Sequence, residues 1–196
     1  VLIDDKGEVL AVGGFGWENS LVNGIWTYAE EEFFEGLKGA YSTLKQDVKE
    51  KYGITLKKLK AIGISGMMHG YLPFNDKGEL LAPFRTWRNT IAGDAANKLT
   101  TAFDFNIPDR WSIAHLYHAI LTDEAHVKDI AYFTTLSGYI HTLLTGEKVL
   151  GIGEASGMFP MEGNNYSEKM LDKFDELVAD KGYPWKIREI LPKVLV

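Results

Sequence analysis

Ile62-Gly63-Ile64-Ser65-Gly66-Met67-Met68-His69-Gly70, continued from Tyr71 to Arg85 and closed by Thr86-Trp87-Arg88-Asn89-Thr90, is the stretch on which the fold turns. Leu59 to Ser65 reads as a central strand, a short apolar run that ends in glycine and presents Met68 and His69 just past its end. Tyr71–Phe74 and Glu79–Phe84 flank the turn signal Asn75-Asp76-Lys77-Gly78, which predicts a hairpin. In an open α/β sheet the carboxyl ends of strands deliver side chains into a crevice. A His and a Trp there suit a ligand with both hydroxyls and apolar C–H faces. A lone histidine is more often structural, satisfied by backbone; the spacing from His69 to Trp87 favours a binding wall.

Upstream, Val1-Leu2-Ile3 and Glu8-Val9-Leu10 form strands about a turn at Asp5-Lys6-Gly7. The chain starts without Met and inside a strand, which gives the expectation of a fragment with an uncovered sheet edge. Such an edge invites association and leaves a homodimer open. Gly13-Gly14-Phe15-Gly16-Trp17 is a loop or strand edge. Thr27-Tyr28-Ala29-Glu30 fits a capping box opening a helix, and Phe33, Phe34, Leu37, Tyr41, Leu44 and Val48 recur at helical spacing up to a stop at Gly53. Downstream, helices are expected near 91–103, 112–121, 135–145 and 167–180, with a short strand at 131–134 and a glycine stop at Gly146. The reading is one α/β domain, or most of one.

Composition narrows the partners. The 196 residues hold 21 basic and 27 acidic side chains, a net charge of −6, with no basic stripe. That argues against nucleic acid. No apolar run approaches the length of a membrane span. The absence of cysteine removes disulfides and thiolate-bound metals, and with no signal peptide visible the expected location is cytoplasmic.

Three patterns invite other chemistries. His115 and His118, three apart on a predicted helix with Glu124 and His126 nearby, could offer a metal edge. The plainer reading turns Ile113, Leu116, Tyr117 and Ile120 inward and leaves both histidines at the margins. Gly151-Ile152-Gly153-Glu154-Ala155-Ser156 misses the dinucleotide fingerprint at Ser156, its third glycine position. Gly63-Ile64-Ser65-Gly66-Met67 lacks the second glycine of a hydrolase elbow.

The Met68-His69-Gly70 strand end and the Trp87 loop resemble the FGGY family of carbohydrate kinases, closest to its xylulokinase-like branch, where a Gln-Met-His-Gly-type motif and a later Trp loop line the sugar cleft. Leu144-Thr145-Gly146, Ala155-Ser156 and Leu191-Pro192-Lys193-Val194 match further family segments, so the resemblance runs from about residue 1 to residue 195. It implies a ribonuclease-H-like (actin-like ATPase) α/β domain with a mixed sheet flanked by helices, truncated at both ends. Residues 1–196 would be most of the N-terminal kinase domain. The family's Asp-x-Gly-Thr-type phosphate loop would precede Val1, and its catalytic aspartate and second domain would follow Val196. The implied cofactors are ATP and magnesium (Mg), and the implied partner is a small-molecule sugar or polyol, a ketopentose such as xylulose. Met68, His69, Trp87, Asn89, Arg110 and Trp111 are the implied substrate-binding residues, and no catalytic residue is carried over. The family places an acidic residue where Asn89 stands and an arginine where Ile91 stands, and an amide both donates and accepts where a carboxylate only accepts. The glycerol branch prefers Arg-Glu at the position of Met68-His69. Kinases of other specificity, for ribulose or glycerol, and a non-catalytic interaction module remain the alternatives. The role of Glu154 stays open.

Overall fold

The computed structural model describes all of residues 1–196. Two compact units share the chain: residues 1–20 with 28–63, and residues 21–27 with 64–196.

In the smaller unit, Asp4 closes the first turn by accepting the backbone N–H groups of Lys6 and Glu8, both at 2.9 Å. This sets β1 (Leu2–Ile3) antiparallel to β2 (Val9–Ala11). The long helix α1 (Glu30–Tyr52) carries three glutamates in its first turn and Lys49 and Lys51 in its last, complementing the helix dipole. It begins later than the capping-box reading placed it. Strand structure continues through Thr27, and Ala29 takes the N-cap position, its backbone N–H donating to Glu32 Oε2 at 2.7 Å. Only the glutamate half of the box forms, because alanine has no side-chain oxygen to complete it. Gly53 ends the helix at φ 67°, donating to the Lys49 carbonyl. The buried face also differs from expectation: Phe33, Gly36, Leu44 and Val48 are buried, whereas Phe34, Leu37 and Tyr41 stay more than a third exposed. The Trp17 ring lies directly on Gly36, where a Cβ would sit 1.8 Å from its ring carbon. The aromatic loop thereby covers the first turns of the helix at Phe33 and Gly36, whereas Leu37 and Tyr41, close in helical angle to Leu44 and Val48, are left partly uncovered.

The larger unit begins with β3 (Ser20–Val22) paired to β4 (Ile25–Thr27). Its centre is β5 (Leu72–Phe74), antiparallel to β6 (Tyr132–Thr134) in the register Leu72↔Thr134 and Phe74↔Tyr132. Helices α2 (Gly93–Phe103) and α3 (Ser112–Leu121) pack on this core. α3 is apolar almost all round and buried almost all round, as the absence of a polar face requires. Then come α4 (Leu136–Thr145), β7 (Val149–Gly151), α5 (Ile152–Ala155), β8 (Met161–Glu162), β9 (Asn165–Tyr166), α6 (Glu168–Leu177), α7 (Ile187–Ile190) and β10 (Lys193–Leu195). β10 runs parallel to β7, and β8 pairs antiparallel with β9. Tyr71, Phe84, Phe133, Met158, Phe159 and Phe174 are fully enclosed, each contributing on the order of 2–3 kcal/mol of transfer free energy.

Two expectations change in detail. The mixed α/β architecture holds, but its strands form five two-stranded ladders instead of one broad sheet. Residues 59–65 form no strand, and Ile62 is 63% exposed. An isolated extended segment gains nothing from its backbone polar groups until a neighbour pairs with them, and no ladder partner lies along this one. The 79–84 arm of the predicted hairpin likewise reduces to single bridges, Phe74 with Leu80 and Tyr71 with Arg85, because β5 takes β6 as its partner. No helix is long and apolar enough to cross a membrane.

Candidate functional site

Three backbone segments of the larger unit converge on His69. Gly70 N–H donates to the Arg110 carbonyl at 3.3 Å, tying the end of the 64–70 segment to the loop before α3. Gly157 approaches from the turn after α5, with His69 Nδ1 3.4 Å from its carbonyl oxygen. The approach is too close for any other residue: a Cβ on Gly157 would lie 2.2 Å from the Met68 carbonyl oxygen and 2.8 Å from His69 Nδ1. His69 is half-buried, and its pKa falls below the usual histidine value. Burial is the main cause; the Arg110 guanidinium adds to the fall, while the Gly157 carbonyl and the Glu154 carboxylate oppose it. A neutral ring whose Nδ1–H points at a carbonyl leaves Nε2 as an acceptor.

Glu154 is held beside this histidine by the start of α4. Thr135 is the N-cap of that helix, its Oγ1 accepting from Gly138 N–H at 3.2 Å, so its single hydroxyl proton is directed elsewhere, to Glu154 Oε1 at 2.8 Å. Ser137 Oγ donates to the same oxygen. Close packing keeps the pieces in place, since a Cβ on Gly66 would meet Ser137 Cβ at 3.1 Å. Glu154 Oε2 takes no hydrogen bond from the protein. The arrangement offers two acceptors, Oε2 and Nε2, with the Arg110 guanidinium as the nearby cation. Such a set can accept hydrogen bonds from hydroxyls.

Of the residues singled out from the sequence, Met68, His69 and Arg110 belong to this cluster. Trp111 flanks it as the N-cap of α3, half-buried, its ring 6.4 Å from that of Phe105. Trp87 is 54% exposed. Asn89 is buried, and its amide grips β4: Oδ1 accepts from Trp26 N–H at 2.8 Å, and Nδ2 donates to the carbonyls of Trp26 at 2.7 Å and Thr86 at 3.0 Å. Thr135, Ser137 and Gly157 were not anticipated. Thr135 sits where β6 passes directly into α4, and that position, in N-cap chemistry, was the available signal.

The histidine pair on α3 also departs from expectation. His115 lies in the interior with no protein hydrogen-bond partner on either ring nitrogen. Its pKa is pushed down to about 3 by burial, with the charge of Arg85 adding to the effect. Arg85 pairs with Glu124, which also faces His126 Nδ1 at 3.5 Å, while His126 Nε2 meets the Tyr71 hydroxyl at 2.9 Å. Burial raises the Tyr71 pKa, so the phenol keeps its proton and donates it to Nε2. No three histidine, aspartate or glutamate side chains converge on a metal position.

The model of the FGGY family of carbohydrate kinases, N-terminal domain, matches residues 1–179. The chain belongs to this family. No curated protein matches it. Among solved structures, it is similar to a xyloylose kinase from Brucella ovis (TM-score 0.75, 15% identity, 98% of this chain and 39% of that one). A ligand-bound xylulose kinase from Lactobacillus acidophilus has a TM-score of 0.69 at 19% identity, with 90% of this chain and 36% of that one covered. A gluconate kinase from the same organism has a TM-score of 0.68 at 19% identity, with 90% and 35% covered. At these identities the likeness is one of fold, the actin-like ATPase fold of FGGY N-terminal domains. This FGGY chain spans about two fifths, or less, of the length of those structures.

Proposed function

We propose that this chain is the sugar-side portion, most of the N-terminal domain, of an ATP-dependent kinase that phosphorylates a ketopentose such as xylulose or a related polyol. The observation that carries the reading is the convergence of the 66–70, 110 and 154–157 backbones on a half-buried, neutral His69, with an oriented carboxylate beside it. Phosphoryl transfer needs the acceptor alcohol held in line with the γ-phosphate, cations to take up charge, and a carboxylate to receive the hydroxyl proton. The residues present supply the first requirement: His69, Glu154 and Arg110 orient hydroxyls, and Trp87 and Trp111 offer apolar faces. No three ligating side chains converge here, so magnesium would be held mainly through the nucleotide's phosphates. ATP and magnesium follow from the family, and the chain's own role is to hold the sugar.

The test is phosphorylation by the full-length protein carrying this chain, with ATP and a panel of ketoses, polyols and aldonates. Turnover of a ketopentose supports the proposal, and failure with every member overturns it in favour of a non-catalytic module. The 196-residue chain on its own is expected to be inactive, and sugar phosphate formed by it would refute that. Among alternative specificities, gluconate has one specific motive, the similarity to a gluconate kinase.

A further inference from the structure

The way Glu154 is held bears on which sugars the site accepts, given the sugar-kinase reading above, on which this inference rests. Both hydroxyl donors to this carboxylate, Thr135 Oγ1 and Ser137 Oγ, reach the same oxygen, Oε1. The Thr135 oxygen also accepts the Gly138 N–H that starts α4, which anchors this hydroxyl beside the carboxylate. The side chain is therefore fixed in direction while Oε2 is left without a protein donor. A half-exposed glutamate on a four-residue helix would ordinarily sweep through solvent; immobilising one costs side-chain entropy, which argues for a use of the fixed oxygen. The same turn places Gly157 against His69, so the backbone that carries Glu154 also sets the histidine ring.

We propose that Glu154 is a specificity-determining residue: its free Oε2 and His69 Nε2 form an acceptor pair for two hydroxyls of a neutral sugar, and its charge excludes aldonates. A ketose or polyol presents donors to both atoms. A sugar acid with its carboxylate at this end meets a like charge, which disfavours binding strongly where water is excluded. Arg110 opposes this exclusion as the other charged group acting on His69. Specificity then follows from the balance between the two, with the held carboxylate dominating because two hydroxyls orient it, whereas the Arg110 side chain is exposed.

The experiment compares Glu154→Gln and Ser137→Ala with the parent in the full-length protein, measuring kcat/KM for D-xylulose and D-gluconate and the KM for ATP. Gln keeps the shape and a hydrogen-bonding oxygen but removes the charge, leaving Arg110 unopposed. E154Q is expected to lower kcat/KM for xylulose about 5–20-fold, to raise it for gluconate, and to shrink the xylulose preference at least tenfold, with the KM for ATP unchanged. Ser137→Ala removes one of the two hydroxyls that orient the carboxylate without discharging it; xylulose turnover should fall several-fold while gluconate stays excluded, a split that a merely structural role would not give. If the parent turns over xylulose and E154Q retains the same preference, the specificity role is wrong while the kinase reading stands. If the parent turns over no sugar at all, the kinase reading fails and takes this proposal with it. Should E154Q fail to fold, unchanged xylulose kinetics in Ser137→Ala overturns the proposal by itself.

Discussion

His115 is expected to set the acid limit of the larger unit. It is fully buried on α3, neither ring nitrogen has a protein partner, and its pKa is held down to about 3. An unfolded chain binds a proton on this residue at about 6.5, so below that pH the unfolded state gains a proton that the folded state refuses. The contribution is flat above about pH 6.5 and is lost progressively as pH falls toward about 3, for a total on the order of 5 kcal/mol from this residue. His118 and His126 are also lowered, each chiefly by burial, and act in the same sense. Against a typical stability of about 5–15 kcal/mol, the loss is a large share of the total by about pH 3–4. His115→Leu removes both the proton site and two unpaired buried nitrogens. It should add about 1–3 kcal/mol at pH 7 and flatten the dependence of stability on pH between about 6.5 and 4. Urea denaturation followed by tryptophan fluorescence at pH 7.5, 6, 5 and 4 measures both quantities. A variant with the wild-type slope, or one less stable at pH 7, would refute the reasoning.

Three further outcomes are expected. His69→Ala in the full-length protein removes one polar contact to substrate, on the order of 1–3 kcal/mol, and so should lower kcat/KM for the sugar roughly 5–150-fold with little change in the KM for ATP; normal sugar kinetics with a lowered Tm would return His69 to a structural role. Asn89→Asp replaces a donor with a charge facing the Trp26 and Thr86 carbonyls; it should cost about 2–4 kcal/mol of stability, and a Tm equal to that of the parent would show that the clamp carries no weight. Gly157→Ala drives a Cβ into the Met68 carbonyl, so it should destabilise by about 1–3 kcal/mol and raise the His69 pKa as the ring loosens, a shift that NMR titration either records or denies.

Much of the local structure was legible because local chemistry determines it. α3 spans the residues its apolar run predicted, and Gly53 and Gly146 end their helices in the left-handed conformation expected of them. The site was legible in part for the same reason: Met68-His69 lies at the end of an apolar run, and Arg110-Trp111 at a helix start. What failed was long-range. Residues 59–65 have strand composition, but strand formation depends on a partner that composition does not specify. The amide of Asn89 answers to Trp26, 63 residues away, and nothing in its own neighbourhood announces that. His115 was assigned to a helix margin on pattern alone, whereas a helix enclosed on every side has no margin. Glu154 gained a defined geometry only from two hydroxyls across the turn after β6.

The chain passes between its two units at 20–21, 27–28 and 63–64, so neither unit is a continuous length of sequence. Trp26, in the short excursion, has its N–H and its carbonyl held by Asn89, a second bond from Thr86 N–H to that carbonyl, and the Arg88 guanidinium 4.2 Å over its ring. That makes residues 21–27 a basting stitch in the fabric of the larger unit. No single cut separates the units: a shortened chain beginning at residue 64 leaves the buried Asn89 amide with only its Thr86 bond, and one ending at residue 63 carries a loose β4. Dissecting this protein by truncation will therefore damage both halves, whereas a circular permutation or a nick placed between the exposed Lys57 and Lys58 keeps the stitch sewn.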